Sequence, residues 1–121
     1  MAFRFQKFPV YKDARSFITN IYKITKNFPS EEQFGLVSQL RRAAISIALN
    51  VAEGSDRGSD KEFNRFINMA KGSVNEIVAA LDISLDNSYI SQKDYRTLLD
   101  QGESIIKQLS SFGKSLKSRK S

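Results

Sequence analysis

The chain has 121 residues, of which 40% are hydrophobic and 26% are charged, a composition typical of a folded domain rather than of a disordered chain. It contains no cysteine, which excludes disulfide bonds and thiolate metal sites, and no histidine, the usual general base and commonest metal ligand. The net charge of +6 favours acidic partners, above all nucleic acid. A solvated basic surface without a binding role is the alternative interpretation of this charge.

No apolar run is long enough to span a bilayer, and the N-terminal residues lack the apolar segment of a signal peptide. We therefore expect a cytoplasmic protein with no membrane partner.

Hydrophobic residues at helical spacing predict a first helix over about residues 11–27, which Pro29 ends. Ser30 and Gln33 have the spacing of a capping box, so a second helix is predicted over about 30–53. Gly54 follows as the left-handed residue that we expect to end this helix.

A third helix is predicted over about 60–87, with Ser59 as its N-cap and Glu62 completing the capping box. A fourth is predicted over about 92–116, capped by Ser91 and followed by a basic tail at 117–121. Because the connections are short, successive helices should be antiparallel neighbours. The sequence thus predicts an all-α protein, an antiparallel up-down-up-down four-helix bundle in which residues 1–121 form one domain.

The second predicted helix is apolar on two sides. Its broad face, which we expect to form the bundle core, comprises Leu36, Val37, Leu40, Ala43, Ala44, Ile47, Ala48 and Val51. Ile45 and Leu49 lie four residues apart, roughly opposite, beside a polar ridge. We interpret this second patch as a subunit interface; two incidental aliphatic residues on a solvated ridge are the alternative. The residues assigned to this interface are Gln39, Arg42, Ile45, Ser46, Leu49, Asn50 and Glu53, with Gly72 and Glu76 on the third helix.

Basic residues gather where the second turn meets the third helix. There the free backbone N–H groups of a helix start also favour anions, so Arg57, Lys61 and Arg65 are candidates for phosphate contacts. The full set of predicted nucleic-acid-binding residues is Arg41, Arg57, Lys61, Arg65, Lys117, Arg119 and Lys120.

A group of short segments in the middle of the chain resembles a known family. These segments are Phe28-Pro29, Phe34-Gly35-Leu36, Gln39-Leu40-Arg41-Arg42-Ala43-Ala44, Ser46-Ile47, Asn50-Val51-Ala52-Glu53-Gly54, Arg57, Lys61-Glu62-Phe63, Phe66 and Gly72-Ser73 with Glu76. They resemble the bacterial four-helix proteins encoded in intervening sequences of large-subunit ribosomal RNA genes, described as S23-like ribosomal proteins. The accessory variability protein of diversity-generating retroelements is similar. The family often has proline after Ser-Ile, where this chain has Ala48, which predicts a straighter second helix.

The resemblance implies a bundle that assembles into a ring, most simply a homopentamer, with no catalytic residues. For the retroelement member it implies binding to nucleic acid and to a reverse transcriptase. Within the motif, Arg41, Arg42, Asn50, Glu53 and Arg57 are open to either role, since they would suit both a ring interface and an RNA-binding surface.

Three functions remain to be weighed. The first is an oligomeric, non-catalytic protein that binds RNA or DNA largely without sequence specificity, because no base-reading module is present. The second is a protein-interaction scaffold, for example for a reverse transcriptase. The third, a hydrolase using carboxylates and a metal, is disfavoured because helical di-metal sites usually need Glu-x-x-His pairs. We expect no cofactor and no metal.

Overall fold

The computed structural model describes residues 3–118, and within that range all regular secondary structure is helical. Four α-helices follow one another along the chain, with a 3-10 helix before the first and another before the second. Their bounds are Pro9–Thr25 for α1, Leu36–Gly54 for α2, Asp60–Asp86 for α3 and Gln92–Ser118 for α4, with the 3-10 helices at Arg4–Lys7 and Ser30–Glu32. The predicted all-α class with four helices is confirmed.

Each α-helix packs against two others: α1 and α3 both contact α2 and α4. Contacts between neighbouring helices pair residues in opposite chain order. The pairs are Gln39–Glu76, Ser46–Ser73 and Gly54–Phe66 between α2 and α3, Asn20–Gln101 and Asp13–Gln108 between α1 and α4, and Tyr95–Asp82 and Gly113–Asn64 between α3 and α4. This cyclic arrangement encloses a single core along the bundle axis.

The core is filled by the faces that helical periodicity predicts. Of the eight α2 residues assigned to it, Leu36 is half-buried and the other seven are buried. At one end of the bundle Phe8, Phe63 and Phe112 form an aromatic cluster with ring centroids 5.0–6.3 Å apart. These three rings come from the start of α1, the start of α3 and the end of α4, so they close that end of the core.

The N-terminal 3-10 helix, which sequence reasoning missed, is attached to the same end. Arg4 donates a hydrogen bond of 2.8 Å to the carbonyl of Ser55, which follows α2. Its guanidinium group also lies within 6 Å of the rings of Phe8 and Phe63. The cation therefore connects the N-terminal segment to both the α2–α3 turn and the aromatic cluster.

The predicted start of the second helix at residue 30 is wrong. Residues Ser30–Glu32 form a 3-10 turn, in which the Gln33 N–H donates to the backbone carbonyl of Ser30 instead of to its hydroxyl. Gly35 then has a non-helical backbone, and α2 begins at Leu36. The Leu36 N–H donates to the Glu32 carboxylate at 3.2 Å, so this carboxylate stabilises the start of α2 from outside the helix.

The predicted left-handed cap at Gly54 is also wrong, because no glycine in residues 3–118 has a positive φ. Gly54 is the last residue of α2 and is buried, and a Cβ there would lie 2.7 Å from the Cβ of Phe66. Glycine is required at this position by the close approach of α3. Among the residues that the structure describes, the left-handed one is Ser88, with φ of 62°, in the turn between α3 and α4.

The remaining ends agree more closely with prediction. Ser59 accepts a hydrogen bond from the Glu62 N–H at 3.1 Å, and Ser91 accepts one from the Asp94 N–H at 3.0 Å, as the two capping patterns indicate. The first helix occupies 9–25 instead of 11–27, and the fourth continues to residue 118. Within the described range, no helix combines the length and hydrophobicity needed to cross a membrane.

Candidate functional site

Several predicted interface residues lie where α2 faces α3, and they are hydrogen-bonded within the chain. The hydroxyl of Ser46 shares a hydrogen bond with that of Ser73 and lies 2.8 Å from the carbonyl of Ala43. Asn50 Nδ2 donates to the Ser46 carbonyl at 2.8 Å. At the other end of the contact the Gln39 amide donates to the carboxylate of Glu76. The structure thus places Gln39, Ser46 and Glu76 in the contact between α2 and α3, whereas the Asn50 amide is hydrogen-bonded within α2.

Ile45 and Leu49 lie on the other side of α2, toward α1. Ile45 is half-buried and Leu49 is 61% exposed. With residues of α1 they line a groove of about 490 Å³, hereafter the α1–α2 groove. Its lining comprises Tyr11, Lys12, Arg15, Ser16, Ile18, Thr19, Ile45, Ala48 and Leu49. The apolar patch predicted from the helical wheel is therefore shared between α2 and α1.

The outer surface of α3 carries a line of exposed residues, of which sequence reasoning missed Met69, Ala79 and Ile83. We call it the α3 stripe: Arg65, Met69, Gly72, Glu76, Ala79 and Ile83, all exposed. These residues follow one another in alternating steps of four and three, the spacing of a seam between helices. Met69 is 46% exposed and Ile83 is 50% exposed, and a Cβ added at Gly72 would meet nothing within 4 Å. The repeat extends the predicted interface residues Gly72 and Glu76 along α3.

Two of the predicted phosphate contacts, Arg57 and Arg65, converge on the ring of Phe66. Each guanidinium carbon lies 4.8 Å from the ring centroid. Each also pairs with a carboxylate, Arg57 with Glu53 at 2.6 Å and Arg65 with Glu62 at 3.1 Å. The hydrogen bond from Arg65 lowers the pKa of the Glu62 carboxyl. The two cations are therefore close together, but their charges are largely balanced by their own neighbours.

Arg41 is held by α1. Its Nε donates to the hydroxyl of Thr25 at 3.1 Å, its Nη2 donates to the carbonyl of Tyr22 at 3.4 Å, and its guanidinium carbon lies 4.4 Å from the Tyr22 ring. Of the other predicted cations, Lys61 is exposed at the start of α3 and Lys117 is exposed near the end of α4. Arg119 and Lys120 lie outside the described residues.

Lys117 borders a groove that the sequence did not reveal. This α3–α4 groove has a volume of about 380 Å³ and is lined by Asn64, Asn68, Lys71, Leu109, Ser110, Gly113, Lys114 and Lys117. Three lysines line it and no carboxylate does. Sequence reasoning missed Lys71 and Lys114 because their helices are separated by a turn and lie next to each other only in the folded chain.

The carboxylates of the described residues form no group of three or more that could hold a metal ion. One of them, Asp82, accepts a hydrogen bond of 2.6 Å from the hydroxyl of Tyr95, which raises the pKa of Tyr95. This pair connects α3 and α4 on the surface of the bundle.

Comparison with known proteins supplies the family. The sequence profile described as 23S rRNA-intervening sequence protein matches residues 6–111. The chain belongs to this family. A search of curated proteins returned no significant match.

A solved member of the same group has a similar fold. It is a protein of unknown function from the S23 ribosomal protein family of Bacteroides thetaiotaomicron, 25% identical in sequence, with a TM-score of 0.80. The match covers 87% of this chain and 95% of that chain. The resemblance to rRNA intervening-sequence proteins is therefore confirmed, and the family description names a location in the rRNA sequence without naming an activity.

Proposed function

We propose that this member of the 23S rRNA-intervening sequence protein family is a non-catalytic, oligomeric, basic four-helix protein of the cytoplasm. In this proposal it binds RNA or DNA through the phosphate backbone, largely without sequence specificity, and uses neither a metal nor a cofactor. The net charge of +6 supports binding to a polyanion. The absence of any recognised base-reading motif in the sequence supports backbone recognition over base recognition.

The main support for an oligomer is the placement of the exposed apolar side chains. Among the described residues, five large hydrophobic side chains are exposed, and four of them belong to α2, α3 or the turn before α2. These four are Phe34 (96% exposed), Leu49, Met69 and Ile83. Apolar groups concentrated on neighbouring elements favour burial against another protein surface, and copies of the same chain are the simplest source of one. The family resemblance favours five copies arranged in a ring.

Assembly would strengthen the binding to nucleic acid. Each copy contributes the same basic surface, and once one copy is bound the others contact the same strand at a high effective concentration. Weak phosphate contacts on one chain would thereby give substantial affinity in the ring, and this affinity should fall steeply with salt.

Two measurements test the proposal. Fluorescence anisotropy with a short labelled RNA and a duplex DNA, titrated at increasing salt, should show binding to both and a linear fall of log K with log salt. The absence of any complex at low salt would refute nucleic-acid binding.

Light scattering on purified protein tests assembly. The double variant Leu49→Glu/Met69→Glu places charges among the exposed apolar residues and should dissociate the oligomer. The control Thr97→Glu/Ser111→Glu adds the same charge at exposed positions of α4 and should leave the mass unchanged. A wild-type protein with the mass of one chain would refute the oligomer.

The α1–α2 groove favours a second candidate function, a scaffold for another protein such as a reverse transcriptase. Its floor is formed by Tyr11, Ile18 and Ile45, and Lys12 and Arg15 lie at its margin. An amphipathic segment with acidic residues would suit this combination of apolar floor and cations. Binding of a purified reverse transcriptase after nuclease treatment, abolished by Ile45→Glu, would support the scaffold; loss of binding on nuclease treatment would support nucleic acid as the link.

A further inference from the structure

We propose that the α3–α4 groove is the place where the phosphate backbone of a nucleic acid binds to each chain. This inference rests on the proposed nucleic-acid function and assigns it to residues different from most of those predicted from sequence. The groove is formed by the second half of α4 and the first half of α3, with Asn64, Asn68, Lys71, Lys114 and Lys117 as its polar lining along with Ser110.

Charge distinguishes this groove from the arginine pair at Phe66. Within residues 3–118, Lys71, Lys114 and Lys117 take part in no ion pair and no hydrogen bond through their ammonium groups, and no carboxylate lines the groove beside them. Arg57 and Arg65, by contrast, would have to give up Glu53 and Glu62 in order to bind phosphate. A phosphate entering the groove would therefore find positive charge without losing an existing ion pair.

The two asparagines supply hydrogen-bond donors between the lysines. The side-chain amides of Asn64 and Asn68 make no hydrogen bond within the described range, so their N–H groups are available to phosphate oxygens. Gly113 makes room for one of them, since a Cβ there would lie 2.9 Å from the Asn64 side-chain oxygen. The absence of a side chain at Gly113 lets the Asn64 amide lie directly against α4, at the floor of the groove.

The dimensions suit a strand rather than a single ion. From Asn64 to Lys71 the groove follows α3 for about 10 Å at ~1.5 Å per residue. This length exceeds the size of one phosphate group, so the groove can contact more than one phosphate of a strand. The groove lies on the α4 side of α3, away from the contact with α2 and beside the α3 stripe, so assembly through exposed α2 and α3 residues would leave one groove open on every copy.

The test compares two triple variants with the same net charge. Lys71→Gln/Lys114→Gln/Lys117→Gln removes the lysines of the groove. The control Lys23→Gln/Lys26→Gln/Lys93→Gln removes three exposed lysines at the opposite end of the bundle. Affinity for a short fluorescein-labelled RNA is measured by anisotropy over a range of salt, after circular dichroism has verified that both proteins are helical.

We expect the groove variant to bind about tenfold more weakly or worse at low salt, and its salt slope to fall by about 1 for each phosphate that the lysines no longer neutralise. At an ionic strength of about 0.1 M the control should lose much less, because charges more than a Debye length of about 10 Å away are then screened. Equal losses in the two variants would overturn the groove while leaving the proposed function intact, whereas a wild-type protein that binds no RNA would overturn the proposed function itself.

A second pair of variants tests the asparagines without removing a lysine. Asn64→Asp/Asn68→Asp preserves side-chain shape but replaces donors by anions, and it should abolish most of the binding. Asn27→Asp/Gln33→Glu adds the same charge at exposed positions remote from the groove and should have a small effect. Equal losses of RNA affinity in the two double variants would show that only the total charge matters. That result would contradict binding in the α3–α4 groove.

Discussion

Helix α3 carries polar side chains along two edges, one facing α2 and the other facing α4. These two margins differ in whether their polar groups are hydrogen-bonded within the chain. Toward α2, hydroxyl and amide groups are hydrogen-bonded within the chain, as Ser46 with Ser73 and Gln39 with Glu76. Toward the second half of α4, the side chains of Asn64, Asn68 and Lys71 make no hydrogen bond and no ion pair among the described residues.

The difference separates residues that hold the fold from residues that are available to a ligand. Polar groups that satisfy one another position two helices, and removing one partner leaves the other unsatisfied. Unpaired cations beside unpaired amides do little for the fold and keep their charge available for an anion. Substitutions at Gly54 and at the Ser46–Ser73 pair probe the margin toward α2, and the lysine and asparagine variants probe the margin toward α4.

The largest effect is expected at the closest approach of α2 and α3. Gly54→Ala places a Cβ 2.7 Å from Phe66 Cβ and 2.9 Å from the Phe63 ring. Overpacking of this kind costs about 1–3 kcal/mol, more than the gain of up to ~1 kcal/mol from the better helix former. Urea denaturation should therefore show a lower midpoint. An unchanged or higher midpoint would mean that α2 and α3 can move apart to accept the added Cβ without lowering the free energy of unfolding.

An alanine substitution at Gly72, on the exposed face of α3, is expected to change the free energy of unfolding in the opposite direction. A Cβ there meets no atom within 4 Å, so Gly72→Ala should raise the free energy of unfolding of a single chain by up to ~1 kcal/mol. This variant is the matched control for Gly54→Ala. If copies of the chain close on Gly72, the same change should instead weaken assembly, which light scattering at decreasing protein concentration would detect.

The hydroxyl pair between α2 and α3 should show measurable coupling. In a double-mutant cycle of Ser46→Ala and Ser73→Ala, we expect an interaction free energy of about 0.5–1 kcal/mol, because each hydroxyl also has a backbone acceptor to which it can turn. Thermal or urea unfolding of the four proteins gives the value. Strict additivity would show that the hydrogen bond contributes nothing to the contact.

The smallest effect concerns the Arg65–Glu62 pair at the protein surface. The pKa of Glu62 is lowered by its hydrogen bond with Arg65, so the pair stabilises the fold at pH values above the ordinary carboxyl pKa and loses this contribution as the pH falls through the lowered value. The melting temperature of Glu62→Gln should be slightly below that of the wild type at neutral pH. The two should converge in acid; a difference that persists there would have a cause other than this ion pair.

Local patterns predicted much of the architecture. The periodic apolar residues of α2 are buried nearly as expected, and the capping sequences at Ser59 and Ser91 begin α3 and α4 within a residue of the predicted positions. Ser30 has a capping pattern of the same spacing as those at Ser59 and Ser91, so the sequence wrongly predicted a helix start there. Gly35 interrupts the helix five residues later, and the true acceptor for the first N–H of α2 is the side chain of Glu32.

The site was less accessible to sequence reasoning. The sequence predicts that Arg41, Arg57 and Arg65 bind nucleic acid, but it does not reveal the contacts that packing gives them. These are Tyr22 and Thr25 of α1 for Arg41, and the ring of Phe66 for the other two. Met69 and Ile83 were not predicted as interface residues, although the sequence shows that they lie at helical spacing from Gly72 and Glu76.

Hydrophobic periodicity, charge and capping residues act over one or two helical turns, and for this reason the sequence by itself determined four helices, their buried faces, the basic character and the family. Only the tertiary structure decided that Gly54 is a packing residue, that Arg41 is held by Tyr22 and Thr25 of α1, and that Lys71 lies beside Lys114 and Lys117. Those facts depend on which side chains of separate helices come within a few ångströms of each other. That proximity is set by the packing of the whole core rather than by any local stretch of residues.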